Sequence, residues 1–171
     1  KAHSRIIFNH DGYGPEWEPE AARRGLLNNK NTADAVPLFY EDKNVDVFVH
    51  QGVFTRSEAI ARADIRLENY IKIINIEALT MLEMVKRDII PSVSDYVAEL
   101  CRNVASKQAV SGSIPCDSEK DVIAKLAELN DKTYKAAQQL ESHLIAIDKD
   151  DIKPASQSMA HVIIPDMERV R

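Results

Sequence analysis

At 171 residues the chain has the length of one domain and can bury roughly 70% of the surface its unfolded form exposes. Its 27 acidic and 22 basic side chains are interspersed and leave a net charge of −5, which argues against a nucleic-acid surface. It has no uninterrupted apolar run of ~18 residues and no secretory apolar segment after Lys1, and its two cysteines, Cys101 and Cys116, are too few for a disulfide framework, so it reads as a soluble cytoplasmic protein with reduced thiols.

Four of the five glycines precede Val53, which divides the chain into a punctuated segment, 1–52, and a helical one, 53–171. Arg5-Ile-Ile-Phe8 is a short run of strand type, closed by the turn-rich His10–Pro15. A single strand cannot pair with itself, so it either frays or belongs to a sheet formed by sequence elsewhere. Glu16–Arg24 predicts a short helix stopped at Gly25, and Thr32–Asp42 a second. Asn44–His50 alternates apolar and polar residues as a strand would, yet Gly52 and the helical neighbours favour a helix.

From Thr55 to Ile90 there is neither Gly nor Pro. Thr55-Arg-Ser-Glu58 is a capping box, and Ile60, Ala63, Leu67, Ile71, Ile74, Ala78, Met81, Val85 and Ile89 recur at helical spacing. Lys72, Asn75, Thr80, Glu83, Lys86 and Arg87 form the wet stripe. Glu77 falls outside it, among Ile73, Ile74, Met81 and Met84, on the side expected to be buried. No cation stands three or four residues away, so the expectation is a partner from another helix, as an ion pair or a cap contact. A general base or metal ligand there would need companions the sequence does not supply.

Pro91 interrupts the pattern, but Val93, Tyr96, Val97, Leu100, Cys101 and Val104 resume it at once, which predicts a kink rather than a stop. Cys101 is expected in that helix's apolar face. Ser106–Pro115 reads as a loop, followed by a helix capped at Asp117 or Ser118 with Val122, Ile123, Leu126, Leu129, Tyr134, Ala137, Leu140 and Leu144 inward. Pro154 opens a last helix with Ala155, Met159, Val162, Ile163, Met167 and Val170 inward, and its Ile163-Ile-Pro-Asp-Met167 echoes Ile89-Ile-Pro-Ser-Val93. The fold class is therefore mostly α: a bundle of long antiparallel helices preceded by a short strand, turns and short helices.

Chemistry is sparse. His3, His10, His50, His143 and His161 are scattered with no Glu-x-x-His pair, and His10-Asp11 reads as a turn. Gly12-Tyr-Gly14 lacks the context of a phosphate loop, and no Ser or Cys nucleophile sits in a known signature. Trp17, between Pro15 and Pro19, reads as an aromatic plug packing its short helix onto the bundle.

The chain resembles the C-terminal portion of the type III glutamine synthetases. The likeness is carried by Arg5-Ile-Ile-Phe-Asn9, Gly12-Tyr13, Glu16-Trp17, Arg23-Arg-Gly-Leu26, Gly52-Val-Phe-Thr55, Glu68-Asn-Tyr70, Asn75-Ile-Glu-Ala-Leu-Thr-Met81, Ile89-Ile-Pro91 and Tyr96, in order along the chain. The last part, beyond about residue 146, matches loosely. Asn9-His-Asp-Gly-Tyr13 stands where family members often carry Asn-Gly-Asn-Gly-Tyr, and the family usually continues past Arg171 into a Pro- and aromatic-rich tail.

The resemblance implies ATP-dependent condensation of glutamate with ammonia, with Mg²⁺ or Mn²⁺ ions, in a large homo-oligomer of stacked rings. It also implies that the catalytic, nucleotide-binding and metal-binding residues lie upstream, in a barrel. On that reading residues 1–52 are the exit from the catalytic domain, 53–171 are a C-terminal helical bundle, and the segment is structural, catalytically silent alone and partnered by its own catalytic domain and neighbouring subunits. The alternatives are a free-standing helical interaction or regulatory module and, more specifically, a regulatory pocket containing Glu77.

Overall fold

The computed structural model describes residues 7–171, and among them no strand forms. The strand expected at Arg5–Phe8 lies mostly outside the described residues; Ile7 and Phe8 have no regular structure. Helix α1 (Trp17–Arg24) follows a turn in which the Asp11 carboxylate accepts from the Tyr13 amide at 2.9 Å, and it stops at Gly25, where φ is 68°. That left-handed backbone suits a residue without a Cβ. Trp17 packs on Phe8, ring centroids 5.0 Å apart, so the plug closes its own segment instead of reaching the bundle.

Helix α2 (Thr32–Ala35) is capped by Asn31, whose side chain accepts from the Asp34 amide. The helix expected through Asp42 changes character at Pro37, which has no N–H to extend an α ladder, and continues as a 3-10 turn over Val36–Tyr40. Helix α3 (Asp42–His50) resolves the ambiguous alternation in favour of helix, with Val45 buried and Val47 and Val49 exposed.

Helix α4 (Arg56–Met84) starts at the capping box, made in both directions: the Thr55 amide donates to Glu58 Oε2 at 2.8 Å, and the Glu58 amide donates to Thr55 Oγ1 at 3.3 Å. It passes through a π-helical turn, Val85–Ile89, into α5 (Ile90–Val110), giving 55 unbroken helical residues. Pro91 cannot donate a backbone bond and its ring would crowd the carbonyl four residues back; the wider turn just before it removes that conflict. Ser92 and Ser94 hydroxyls donate to the carbonyls of Asp88 and Ile90 at 2.6 and 2.8 Å. A second π-helical turn, Met159–Ile163, separates α7 (Ile152–Ser158) from α8 (Ile164–Val170) and precedes Pro165 by the same interval. The repeated Ile-Ile-Pro thus marks one backbone device used twice.

Between them α6 (Asp117–Ala146) runs back along the long helix. Helix α5 extends to Val110, beyond the loop start expected at Ser106, because no helix breaker occurs before Gly112. The main core joins Ile71, Ile74, Ala78, Leu82 and Val85 to Ala137, Leu140 and Leu144 of α6 and to Ala155, Met159, Ile163, Met167 and Val170. A smaller core sets Val36 of the 3-10 turn against Ala63 and Leu67, flanked by Phe39 and Tyr40.

Helix α5 buries no residue fully. It packs chiefly on the first half of α6, through half-buried Val97, Leu100 and Val104 against Ile123 and Leu126, and the Lys107–Glu119 ion pair ties the far end of this hairpin. Cys101, expected inside, is exposed, whereas Cys116 in the connecting loop is buried. Val122 and Leu129 are exposed for the same reason: two helices provide one seam, and a residue off that seam has no third layer to enter; Tyr134 and Val162, also expected inside, are exposed as well.

Candidate interaction surface

Three sets of polar contacts fix the bundle. In the first, the short N-terminal helices are tied to the last helical pair: His161 Nε2 lies 3.0 Å from Asp34 Oδ1, and the Gln157 amide donates to the Ala33 carbonyl at 2.7 Å. The His161 hydrogen bond, helped by Asn31 and Gln157, holds the Asp34 carboxyl below its usual range. In the second, the Tyr40 hydroxyl donates to Asp64 at 2.5 Å while the Lys153 ammonium sits 3.8 Å from the Tyr40 ring centre. Burial, and then the Asp64 carboxylate, push the Tyr40 hydroxyl up.

In the third, Asp166, 2% exposed, stands in the first turn of α8. It accepts from His143 Nδ1 of α6 at 2.6 Å and from Arg169 of its own helix at 2.5 Å. A buried carboxylate is tolerable only with such partners. The sequence reading passed over this triad. Its signal was an Asp inside the apolar run Ile163–Met167, the same kind of misplaced charge that singled out Glu77.

Glu77 itself corrects the expectation of a buried carboxylate: it is exposed. The bundle covers one side of helix α4, and the opposite side mixes polar and apolar residues. Ile71, Ile74 and Ala78 turn inward, while Ile73, Ile76 and Met84 are exposed at 54%, 62% and 51%. Apolar neighbours therefore did not imply burial. Ile65 and Leu79 are exposed as well, interleaved along the helix with the exposed Lys72, Thr80 and Glu83. Beside it opens a cavity of about 570 Å³, lined by Glu77, Met81, Met84, Ile89, Thr133 of α6 and Met167 of α8, among others.

Glu77 makes no ion pair among the described residues, and the cations of the following turns and of the C-terminal end have other partners. Lys86 pairs with Glu141 at 2.6 Å, Arg87 with Glu83 at 2.5 Å and Arg171 with Glu168 at 2.8 Å. Two turns before it the Tyr70 hydroxyl is buried with no hydrogen-bond partner among the described residues, as is Asn75 Oδ1, which the wet stripe had been expected to expose. Burial raises the Tyr70 hydroxyl, and the charges of Asp34 and Glu77 add to it.

Among the described residues no three His, Cys, Asp or Glu side chains converge as metal ligands would, so no catalytic step can be derived through a metal held here. His10 and His50 are exposed and apart, and the Asp11 carboxylate serves its turn. Both cysteines are free thiols, and among the described residues no helix is long and apolar enough to cross a membrane. The described surface carries several exposed apolar residues on α4, a groove beside them and a hairpin lacking a third layer.

The glutamine synthetase from Butyrivibrio fibrisolvens is 37% identical over 81% of this chain, which covers 20% of that protein. The type-3 glutamine synthetase of Dictyostelium discoideum is 31% identical over 61% of the chain, covering 14% of its length, and the glutamine synthetase of Bacteroides fragilis (strain YCH46) is 23% identical over 97%, covering 24%. The chain thus spans about a quarter or less of the curated relatives it matches. The sequence profile of the glutamine synthetase C-terminal domain matches residues 1–108, the short helices, α4 and nearly all of α5, and the chain belongs to that family.

Proposed function

We propose that this chain is the C-terminal structural and assembly region of an ATP-dependent glutamate–ammonia ligase. Residues 1–52 lead out of the catalytic domain, and 53–171 form the helical bundle. The observation that carries this reading is a family match that includes all of helix α4, on which Ile65, Ile73, Ile76, Leu79 and Met84 are exposed. ATP and the Mg²⁺ or Mn²⁺ ions are held by residues outside this chain, and the whole works in the cytoplasm as a large ring-built homo-oligomer. The region contributes packing surface and no reacting group.

The test compares the full-length polypeptide containing this chain with the isolated 171 residues in glutamine and γ-glutamyl hydroxamate formation. Full-length protein should turn over and the isolated chain should not, although it should be helical by circular dichroism. Turnover by the isolated chain, or a full-length protein inactive with glutamate, ammonia, ATP and divalent metal, would sink the reading.

A further inference from the structure

Two histidines fasten the last helical pair to the rest of the bundle, and each does so through a carboxylate. His143 Nδ1 of α6 meets Asp166 of α8 at 2.6 Å, and His161 Nε2, in the π-helical turn between α7 and α8, meets Asp34 of α2 at 3.0 Å. In both contacts the histidine is the more open partner, 42% and 54% exposed against 2% and 34% for the two carboxylates. Solvent protons therefore reach the imidazoles while the acids stay covered. An imidazolium N–H donating to a carboxylate is an ion pair as well as a hydrogen bond, and a neutral ring keeps only the weaker hydrogen bond.

The surroundings leave these two contacts as the proton-sensitive ties. Asp166 also accepts from Arg169 at 2.5 Å, so the buried carboxylate keeps one cation when His143 is neutral. The other charged groups facing His143 are Asp148 and Asp151, which line a cavity of about 350 Å³ beside it. Among the described residues Asp34 is the one charged group within ion-pair distance of His161; α4 and α6 also pack on this turn and bring none. The hydrogen bond from His161 is the chief cause of the low-lying Asp34 carboxyl. The neighbouring ties do not respond near neutrality: Gln157 donates an uncharged amide to the Ala33 carbonyl at 2.7 Å, and the Tyr40 hydroxyl, pushed up by burial and Asp64, keeps its proton.

We propose that the helical pair Ile152–Val170 is held by a two-point histidine clasp, which grips when His143 and His161 are protonated and relaxes as they lose their protons. The proposal stands apart from the ligase reading. The imidazolium contribution is complete below the ordinary histidine value of about 6.5 and is lost as the pH rises beyond it. Below about pH 4 the Asp34 carboxylate is lost in turn, so the grip is greatest between the two. Release is graded, because Arg169 and Gln157 keep their contacts and Met159 and Ile163 stay sealed in the core. One proton-dependent pair thus ties α2 at one point and α6 at the other.

The test is deuterium exchange of the full-length protein, read by mass spectrometry at about pH 6 and about pH 8, either side of the ordinary imidazole value. Rates are corrected for intrinsic base catalysis. Peptides from Ile152–Val170 should lose about fivefold or more in protection at the higher pH, relative to peptides from Ile71–Leu82. His143→Gln combined with His161→Gln keeps a donor at each point but no charge. That double variant should show the parent's higher-pH protection at both values. His50→Gln, whose ring meets only the Asp46 carbonyl, should leave the response in place. Where the double variant does not fold, the two single variants decide, and each should lose part of the response. Equal protection of Ile152–Val170 in the parent at both values, or a fall of the same size in Ile71–Leu82, would overturn the proposal. So would a full response surviving in the double variant or in both single ones.

Discussion

The two ends of the long helix are built to different standards. Around α4 three helical layers meet, and Leu67, Leu140, Met159 and Ile163 are sealed. Along α5 two helices share one seam and nothing is fully buried, although both ends belong to one unbroken helix. Helix propensity is not what separates them, since α5 is as regular as α4. The difference lies in how much apolar surface leaves water: a sealed Leu contributes roughly 2–3 kcal/mol by burial, and a half-covered one about half of that. A helical hairpin of that kind draws less of its stability from burial than the core does.

Core truncation exposes the contrast most strongly. Leu140→Ala should destabilise the chain by about 2–5 kcal/mol in denaturant unfolding, whereas Leu126→Ala in the hairpin should cost roughly 1 kcal/mol. Equal costs would mean that the hairpin is sealed in solution. Next in size is the Asp166 triad. Asp166→Asn keeps the volume but weakens the hold on His143 and Arg169, and about 2 kcal/mol of stability should go with it, with little change in hairpin exchange rates.

The smallest effect is pH-dependent. Since the folded Asp34 carboxyl titrates below its ordinary value of about 3.9, its stabilising contribution is complete above that value and declines as pH falls through the lower folded one. The contact of α2 with the Met159–Ile163 turn should therefore loosen on acidification below about pH 4. Carboxyl NMR titration should find the Asp34 midpoint depressed in the parent chain and nearer its ordinary value in His161→Gln; an unchanged midpoint would assign the depression elsewhere.

Local chemistry was the legible part of this chain. The Thr55–Glu58 box, the Gly25 stop and the continuation through Pro91 depend on residues within a turn of one another, and each formed as the pattern implies. Burial was less legible, because periodicity says which residues share a face and not whether a partner covers it. Glu77 and Cys101 were assigned to the inside from apolar neighbours; Cys101 lacked a third layer, and Glu77 stands off the one side of α4 that the bundle covers. The π-helical turns and the Asp166–His143 pair depend on contacts across more than 20 residues, or on strain relieved by packing, which no local window contains. Asp166 was nevertheless accessible in principle, since an acid in an apolar run next to Pro165 asks for a partner.

The central claim is that the uncovered surfaces of this chain are completed by the rest of a longer protein, and hydrogen exchange tests it most directly. Amide exchange of α5, Ile90–Val110, and of the outer residues of α4 is followed in the isolated chain and in the full-length protein under identical conditions. The account predicts slowing of about tenfold or more for α5 and around Ile73–Met84 in the full-length protein, with the sealed segment around Leu140 changing least. Identical protection in the two samples would contradict it.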